Sequence, residues 1–213
     1  MERTPLDRRV DELLAATGTG GRVIIGIAGP PGAGKSSLAA RLVEAAGARH
    51  GRASAVVLPM DGFHLANEVL EALGRRQRKG APDTFDADGF AALLERVARR
   101  DEPVVYAPRF DRSREEAIAG AIAIEAGARL VVVEGNYLFL AEAAWARVAA
   151  CLTEGWYLDT PFPVCEERLR ARARRTYGAA GEAWVEQVDR PNAAVVATSK
   201  GRADRLIDGG NGR

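Results

Sequence analysis

The chain has 213 residues and a formal net charge of +1, so it lacks the overall positive field with which proteins attract nucleic acid or an anionic membrane surface. Hydrophobic residues make up 47% and charged residues 28%, a balance typical of a soluble globular protein, and no apolar run approaches the roughly 18 residues of a membrane helix. Only two cysteines are present and the charged N-terminus lacks an apolar secretion segment, so a disulfide scaffold is excluded and a cytoplasmic protein is predicted.

The first predicted elements along the chain are a helix, a strand and a glycine-rich loop. Apolar spacing over residues 6–16 predicts a short helix, which the glycines of residues 18–21 would end. The apolar run of residues 23–28 predicts a buried strand, and a helical pattern begins at Ser37. The loop between them therefore joins the end of a strand to the start of a helix.

This loop matches the pattern G-x-x-x-x-G-K-[ST], which is typical of a triphosphate-binding loop. Its glycines let backbone N–H groups converge on phosphate oxygens, and the helix N-terminus adds its positive end. Lys35 would supply a cation to the β and γ phosphates, and the Ser36 hydroxyl would bind Mg²⁺. A glycine-rich turn that contains a lysine by chance is the alternative, but the chain has only three lysines. The predicted nucleotide-binding residues are Gly29, Pro30, Pro31, Gly32, Ala33, Gly34, Lys35, Ser36 and Ser37.

Strands alternate with helices in the rest of the chain. The predicted strands are residues 54–59, 104–108, 121–124, 130–134, 155–159 and 203–207. The predicted helices are residues 65–73, 87–100 with Asp86 as N-cap, 141–149, 163–175 and 182–188. This alternation predicts an α/β fold in three layers, with a mainly parallel sheet and helices on both faces. We expect one domain over residues 1–213, with the N-terminal helix and turn in residues 1–20.

Acidic residues follow three of the predicted strands, at the edge where parallel α/β sheets bind ligands. Asp61 suits a carboxylate that orients and deprotonates a substrate hydroxyl, but a structural aspartate in the Asp61-Gly62 turn explains the residue equally well. Glu134 ends the most apolar strand, where an unpartnered carboxylate would be costly, so a role in binding Mg²⁺ is favoured. Asp159 fits a helix-entry turn better than a site.

Other polar and aromatic side chains carry weaker signals. His64 can act at a site or simply hydrogen-bond within a loop. Arg168 and Arg172 are four residues apart and share one face of the arginine-rich helix, from which they could cover bound phosphates as a lid. The three tryptophans fit packing better than base stacking.

Five motifs occur in order along the chain: PMDGFH at residues 59–64, RKGAPDTFD at 78–86, APRFDR at 107–112, VEGNYL at 133–138 and DRPNA at 189–193. Together they resemble the superfamily of uridine kinase, pantothenate kinase and phosphoribulokinase. Within it, the chain is most similar to small bacterial nucleoside/nucleotide kinase proteins, also described as fructose-transport-system-kinase-like. The resemblance extends from about Arg22 to Ile207.

The resemblance implies a P-loop fold with a small helical lid at about residues 163–190, ATP and Mg²⁺ as cofactors, and a homodimer. It implies that Asp61 is the catalytic carboxylate, that Arg168 and Arg172 act from the lid, and that Asn192 lies near the nucleotide. The residues implied to line the acceptor pocket or the metal site are Asp61, His64, Lys79, Asp111, Arg112, Glu134, Asn136 and Tyr137, and Arg109 is a further candidate for acceptor binding. Arg109 stands where an apolar residue is expected, and it could add a contact to an anion.

These observations favour an ATP-dependent kinase that transfers the γ-phosphoryl group to a hydroxyl of a small polar metabolite, such as a sugar or a nucleoside. Pantothenate is an alternative acceptor, although the chain lacks much of the C-terminal region of bacterial pantothenate kinases. A nucleotide-dependent switch protein is an alternative of another class, but polar motifs after several strands favour a concave acceptor pocket. The near-neutral net charge disfavours a nucleic-acid-associated ATPase.

Overall fold

The computed structural model of the protein describes residues 4–18, 20–177 and 180–210. The strands are β1 (Val23–Ala28), β2 (Ala55–Pro59), β3 (Val104–Asp111), β4 (Glu116–Glu125), β5 (Leu130–Glu134), β6 (Glu154–Asp159) and β7 (Arg205–Asp208). The helices are α1 (Pro5–Ala16), α2 (Lys35–His50), α3 (Asn67–Ala72), α4 (Ala87–Arg99), α5 (Ala143–Ala150), α6 (Phe162–Tyr177), α7 (Ala180–Trp184) and α8 (Arg190–Ala197).

Five of the strands form a parallel sheet in the order β2-β5-β1-β6-β7. Strands β1 and β5 lie in its centre and are buried at every residue, as continuous apolar runs in a parallel sheet should be. Glu134 at the end of β5 pairs with Ile27 of β1 and with Pro59 of β2. The three strands therefore end at the same edge of the sheet.

Helices cover both faces of this sheet. On one face, Val23, Ile25 and Ile27 of β1 belong to an apolar cluster with residues of α1, α2 and α6. On the other face, Ile24 and Ala28 join a larger cluster with residues of α4, α5 and α8. Alternate side chains of one strand thus enter two cores, which confirms the predicted three-layer α/β fold.

Strands β3 and β4 form a separate antiparallel hairpin and do not join the parallel sheet. The two short predicted strands at 104–108 and 121–124 are parts of these longer strands. The hairpin approaches the turn at residues 60–63 closely, because a Cβ on Gly62 would lie 2.3 Å from the Pro108 carbonyl oxygen. Gly62 is therefore the point at which the hairpin packs against the turn that follows β2.

The chain after α6 departs from the predicted helix at 182–188. Helix α7 is followed by a π-helical segment, Val185–Asp189, and then by α8. Helix α8 was not predicted, because residues 190–197 give only a short apolar pattern behind Pro191. The remaining predicted helices and strands are present with shifted ends, and Asp86 caps α4 as expected, accepting a hydrogen bond from Gly89 N at 2.8 Å.

We expect Gly62→Ala to lower the free energy of unfolding by about 1–3 kcal/mol, because the added methyl group meets a backbone carbonyl that cannot rotate away. Gly201→Ala is the matched control, since a Cβ there meets no atom within 4 Å, and it should change stability by less than ~0.5 kcal/mol. Urea denaturation of both variants measures the difference. Equal stabilities would contradict the close packing of the hairpin on this turn.

Candidate active site

The glycine-rich loop connects β1 to α2 at the carboxyl edge of the sheet. Gly32 and Gly34 have φ of +79° and +100°, a conformation that residues with a side chain rarely adopt. A Cβ on Gly32 would also lie 2.6 Å from the Cys165 carbonyl oxygen of α6. Because α2 begins at Lys35, its first-turn N–H groups, which have no partner within the helix, are available to an anion.

Lys35 crosses the loop and connects it to the end of β5. Its Nζ donates hydrogen bonds to the carbonyl oxygens of Gly29 at 2.8 Å and Pro30 at 3.0 Å, and to Asn136 Oδ1 at 2.6 Å. Burial lowers the pKa of the Lys35 ammonium, while the carboxylates of Glu134 and Asp61 act in the opposite direction. All three Nζ–H donors are engaged, so contact with a phosphate requires the exchange of at least one of these bonds.

Glu134 and Ser36 place oxygen ligands beside Lys35. The Glu134 side chain is buried, and the nearby Ser36 hydroxyl favours its ionised form. Burial raises the pKa of Glu134 to about 7, the nearby Asp61 carboxylate adds to this effect, and Lys35 opposes it. Neighbouring carboxylates whose ionised forms repel each other suit a divalent cation.

Asp61 lies in the turn after β2, and the hairpin supplies a cation to it. Arg112 Nη2, just beyond the end of β3, lies 3.3 Å from Asp61 Oδ2. This pair is partly exposed, so its direct contribution to stability is small. Its consequence is orientation, since the guanidinium holds one carboxylate oxygen and leaves the other available.

His64 lies next to Asp61 in an aromatic environment. Its ring stacks on Phe85 with centroids 4.0 Å apart and lies 4.9 Å from the Phe110 ring. Burial lowers the pKa of His64 to about 4, so the imidazole is neutral at physiological pH. Its buried Nδ1 has no hydrogen-bond partner among the described residues. A neutral ring with a free nitrogen is suited to forming a hydrogen bond with a ligand rather than to pairing with a ligand's charge.

Two adjoining cavities of about 430 and 320 Å³ occupy this edge of the sheet. We name the smaller one, which contains the loop residues, the loop cavity, and the larger one the outer cavity. Seven residues line both, namely Asp61, His64, Lys79, Gly80, Arg112, Arg172 and Asp189. Only the loop cavity is lined by residues Pro31, Gly32, Gly34, Lys35, Ser36, Ser37, Phe85, Glu134, Gly135, Asn136, Val188 and Asn192. The arrangement can hold two molecules side by side with Asp61 between them.

Three of the predicted acceptor-binding residues line neither cavity. Arg109 is exposed and lines neither cavity, so it is not placed to contact an anion bound in either of them. Asp111 also lines neither cavity, and its Oδ1 instead accepts hydrogen bonds from Ser113 N and Oγ in the hairpin turn. Tyr137 is buried behind the site, where its hydroxyl donates to the Gly80 carbonyl oxygen at 2.5 Å.

The two arginines expected to act from a lid, Arg168 and Arg172, lie in different surroundings. Arg168 Nη1 donates to the carbonyl oxygens of Gly32 at 3.2 Å and Ala33 at 3.1 Å, so it supports the loop from outside the cavities. Arg172 lines both cavities. Of the two, only Arg172 is placed to contact bound molecules.

Several lining residues were not among the predicted site residues, including Arg76, Trp184 and Asp189. Asp189 is the most informative, because its carboxylate makes no hydrogen bond or ion pair within the described part of the chain and burial raises its pKa to about 6. The charge of Arg172 opposes that rise. The DRPNA motif contains Asp189, but only the π-helical segment before α8 shows which way this residue faces.

Asp159 and two of the tryptophans lie outside the site, where the sequence favours structural roles for them. Asp159 Oδ2 pairs with Lys200 Nζ at 2.6 Å and lines neither cavity. Trp145 and Trp156 are buried in the two cores. No helix in the described ranges is long and apolar enough to cross a membrane.

No group of three or more His, Cys, Asp or Glu side chains able to hold a metal occurs in residues 4–18, 20–177 and 180–210. Mg²⁺ that bridges phosphates usually keeps several waters and needs only one or two protein carboxylates. Ser36 and Glu134 therefore fit such an ion when it arrives with a phosphate ligand.

Comparison with known proteins gives consistent matches. A family model described as the AAA domain matches residues 24–196. A Schizosaccharomyces pombe protein named "Putative uridine kinase C227.14" is 35% identical over 155 residues, covering 71% of this chain and 66% of that protein. The Escherichia coli protein YggC, described as uncharacterized, is 31% identical over 189 residues, covering 88% and 78%. A crystal structure of a "putative fructose transport system kinase" from Silicibacter sp. TM1040 has a TM-score of 0.86 and 34% identity, covering 97% of this chain and 99% of that one.

We expect Asp189→Asn to stabilise the protein at neutral pH. The folded state keeps the Asp189 proton up to a pKa of about 6, whereas the unfolded state loses it near 3.8, so the wild type loses stability as pH rises through this window. The variant should be equally stable near pH 3.5 and more stable by about 1–3 kcal/mol above pH 7. Urea denaturation at several pH values measures this, and a difference that does not change with pH would contradict the buried placement of the carboxyl.

Proposed function

This chain belongs to the P-loop kinases of the AAA domain family, and we propose that it transfers the γ-phosphoryl group of ATP to a hydroxyl of a small metabolite. The observation that carries the proposal is the pair of adjoining cavities with Asp61 on their common boundary. The loop cavity offers phosphate ligands, and the outer cavity has room for a second substrate. A switch protein that only hydrolyses a nucleotide has no need of this second cavity.

The loop residues would bind and orient the triphosphate. The N–H groups of the loop and of the first turn of α2 point toward the phosphate oxygens, and Lys35 exchanges a carbonyl partner for an oxygen of the β or γ phosphate. The hydrogen bond from Lys35 Nζ to Asn136 Oδ1 is kept, and it holds the ammonium in place relative to Glu134. Asn192, which lines only the loop cavity, would contact the nucleotide.

Mg²⁺ would be held by Ser36 and Glu134, and when bound it supplies positive charge to the phosphate oxygens. In this role Glu134 acts as a carboxylate, since a cation beside it favours the ionised form. Arg172 would add positive charge on the side of the outer cavity.

Asp61 would orient the acceptor hydroxyl and accept its proton. Arg112 holds Asp61 Oδ2, so Oδ1 is free to bind a hydroxyl in the outer cavity. His64 has a low pKa, so it does not take the acceptor proton in place of Asp61. Its ring can instead hydrogen-bond a second polar group of the acceptor. Proximity of the hydroxyl to the γ-phosphorus is the main contribution of this geometry to the rate.

An acceptor screen tests the reaction class. ATP consumption in the presence of Mg²⁺ is measured with sugars, nucleosides and pantothenate, and the phosphorylated product is identified by ³¹P NMR. At least one small hydroxyl compound should stimulate consumption and appear as its phosphate ester. Stimulation by nucleic acid or by a protein alone would overturn the proposal.

We expect Asp61→Asn to lower kcat for acceptor phosphorylation by about 10²–10⁴-fold, because the amide cannot accept the hydroxyl proton. The KM for ATP should change by less than about 3-fold, since the loop is intact. Asp159→Asn is the control, because Asp159 also follows a parallel strand but pairs with Lys200 outside both cavities. Acceptor-dependent turnover that survives in Asp61→Asn would show that the proposed base is wrong.

A further inference from the structure

We propose that the acceptor carries an oxyanion, a phosphate or a carboxylate, at the end remote from the reacting hydroxyl, and that Arg76 binds this group. The inference rests on the proposed kinase function and specifies the class of its acceptor. It is carried by the part of the outer cavity that is not shared with the loop cavity. That part is lined by Arg76, Phe110, Glu115, Leu169, Ala173 and Trp184.

Arg76 differs from the other basic residues of its loop, each of which has a hydrogen-bond or ion-pair partner. Arg78 Nη1 pairs with Asp83 Oδ1 at 2.6 Å, and Arg75 Nε lies 3.4 Å from Asp83 Oδ2. Lys79 Nζ donates to Asn67 Oδ1 at 2.7 Å and to the Glu115 carbonyl oxygen at 2.6 Å. The Arg76 guanidinium makes no ion pair or hydrogen bond within the described ranges, although it is half-buried and lines the cavity.

Arg76 and Lys79 bring two positive charges to this end of the cavity, where Glu115 brings one negative charge. Burial lowers the pKa of Lys79 and the repulsion by Arg76 adds to this effect, while the carboxylates of Glu116 and Glu115 act in the opposite direction. Four cationic side chains line the whole outer cavity, Arg76, Lys79, Arg112 and Arg172, against three carboxylates, Asp61, Glu115 and Asp189. An oxyanion at Arg76 relieves the repulsion and pairs the guanidinium in a bidentate manner.

The apolar side chains set the distance between the two ends of the acceptor. Phe110, Leu169, Ala173 and Trp184 lie in the unshared part with Arg76, whereas Asp61 lies on the boundary with the loop cavity. An acceptor with its hydroxyl at Asp61 and its anion at Arg76 therefore packs the atoms between them against apolar surface. A small uncharged sugar would leave Arg76 unpaired and this surface poorly covered.

The test uses pairs of compounds that differ only in the anion: ribose and ribose 5-phosphate, fructose and fructose 6-phosphate, and pantothenol and pantothenate. Isothermal titration calorimetry with protein, MgCl₂ and a non-hydrolysable ATP analogue measures affinity, and a coupled assay with ATP measures kcat and KM. At least one anionic compound should bind about 10- to 100-fold more tightly than its neutral partner. The pair in which this occurs distinguishes a phosphate from a carboxylate.

Arg76→Met should remove this preference by raising the Kd and KM of the anionic compound about 10- to 100-fold, with little change for the neutral one. Arg78→Met is the matched control, since it removes an exposed arginine of the same loop that is paired with Asp83, and it should leave both compounds unaffected within about 2-fold. Arg76→Lys should restore part of the preference. Thermal denaturation of the three variants checks that each is folded.

The inference is overturned if no anionic compound binds more tightly than its neutral partner, or if Arg76→Met weakens both members of a pair equally. Its failure is distinguishable from failure of the kinase proposal. Phosphorylation of neutral compounds with no preference would refute only the anion-binding role. An anion preference in binding without any transfer of phosphate would refute the kinase and leave the role of Arg76 intact.

Discussion

The parallel pairing of β5 with both of its neighbours is the constraint on which the candidate site depends. The register sets Glu134 opposite Ile27 and Pro59, so the glycine loop, the Asp61 turn and the Glu134 side chain emerge at one edge of the sheet. Backbone hydrogen bonds fix this register without regard to the charges that follow the strands. The sheet therefore gathers Lys35, Asp61 and Glu134 although each is costly to bury.

The buried charges balance one another only in part. Lys35 is stabilised by three oxygen partners and by two nearby carboxylates, yet burial still lowers its pKa. Glu134 and Asp189 have raised pKa values for the same reason, and within the described part of the chain only the charge of Arg172 offsets the burial of Asp189. Sites that remain electrostatically unsatisfied in this way are typical of proteins that bind charged ligands, since the ligand completes the balance.

The sequence could predict the elements whose signals are local. The G-x-x-x-x-G-K-[ST] pattern fixed the order of strand, loop and helix, and the apolar run at β5 indicated a strand covered on both faces. The sequence could not predict that β3 and β4 pair with each other outside the parallel sheet. Apolar and polar residues alternate in the same way whether a strand pairs with its neighbour in sequence or with a distant strand. The register of β3 is also irregular between Ala107 and Arg109, which interrupts the alternation of side chains between the two faces of the strand. Counting alternate residues therefore could not predict that Arg109 lies outside the cavities while Arg112 reaches Asp61. The role of Asp61 stayed open for a related reason, since a turn aspartate and a site carboxylate have the same local sequence.

The π-helical segment before α8 also constrains how this chain can change its length. A π-helical turn holds one more residue than an α-helical turn, so loss of a single residue from Val185–Asp189 would restore a regular helix. In a regular helix the loss of one residue rotates the two sides by about 100° relative to each other, but here the shortened turn still closes in about one revolution. Trp184 and Asp189 line the outer cavity from opposite ends of this segment, and Asn192 follows within the next turn. The chain can therefore lose one residue in this segment with less displacement of these lining residues than a deletion in a regular helical turn would cause.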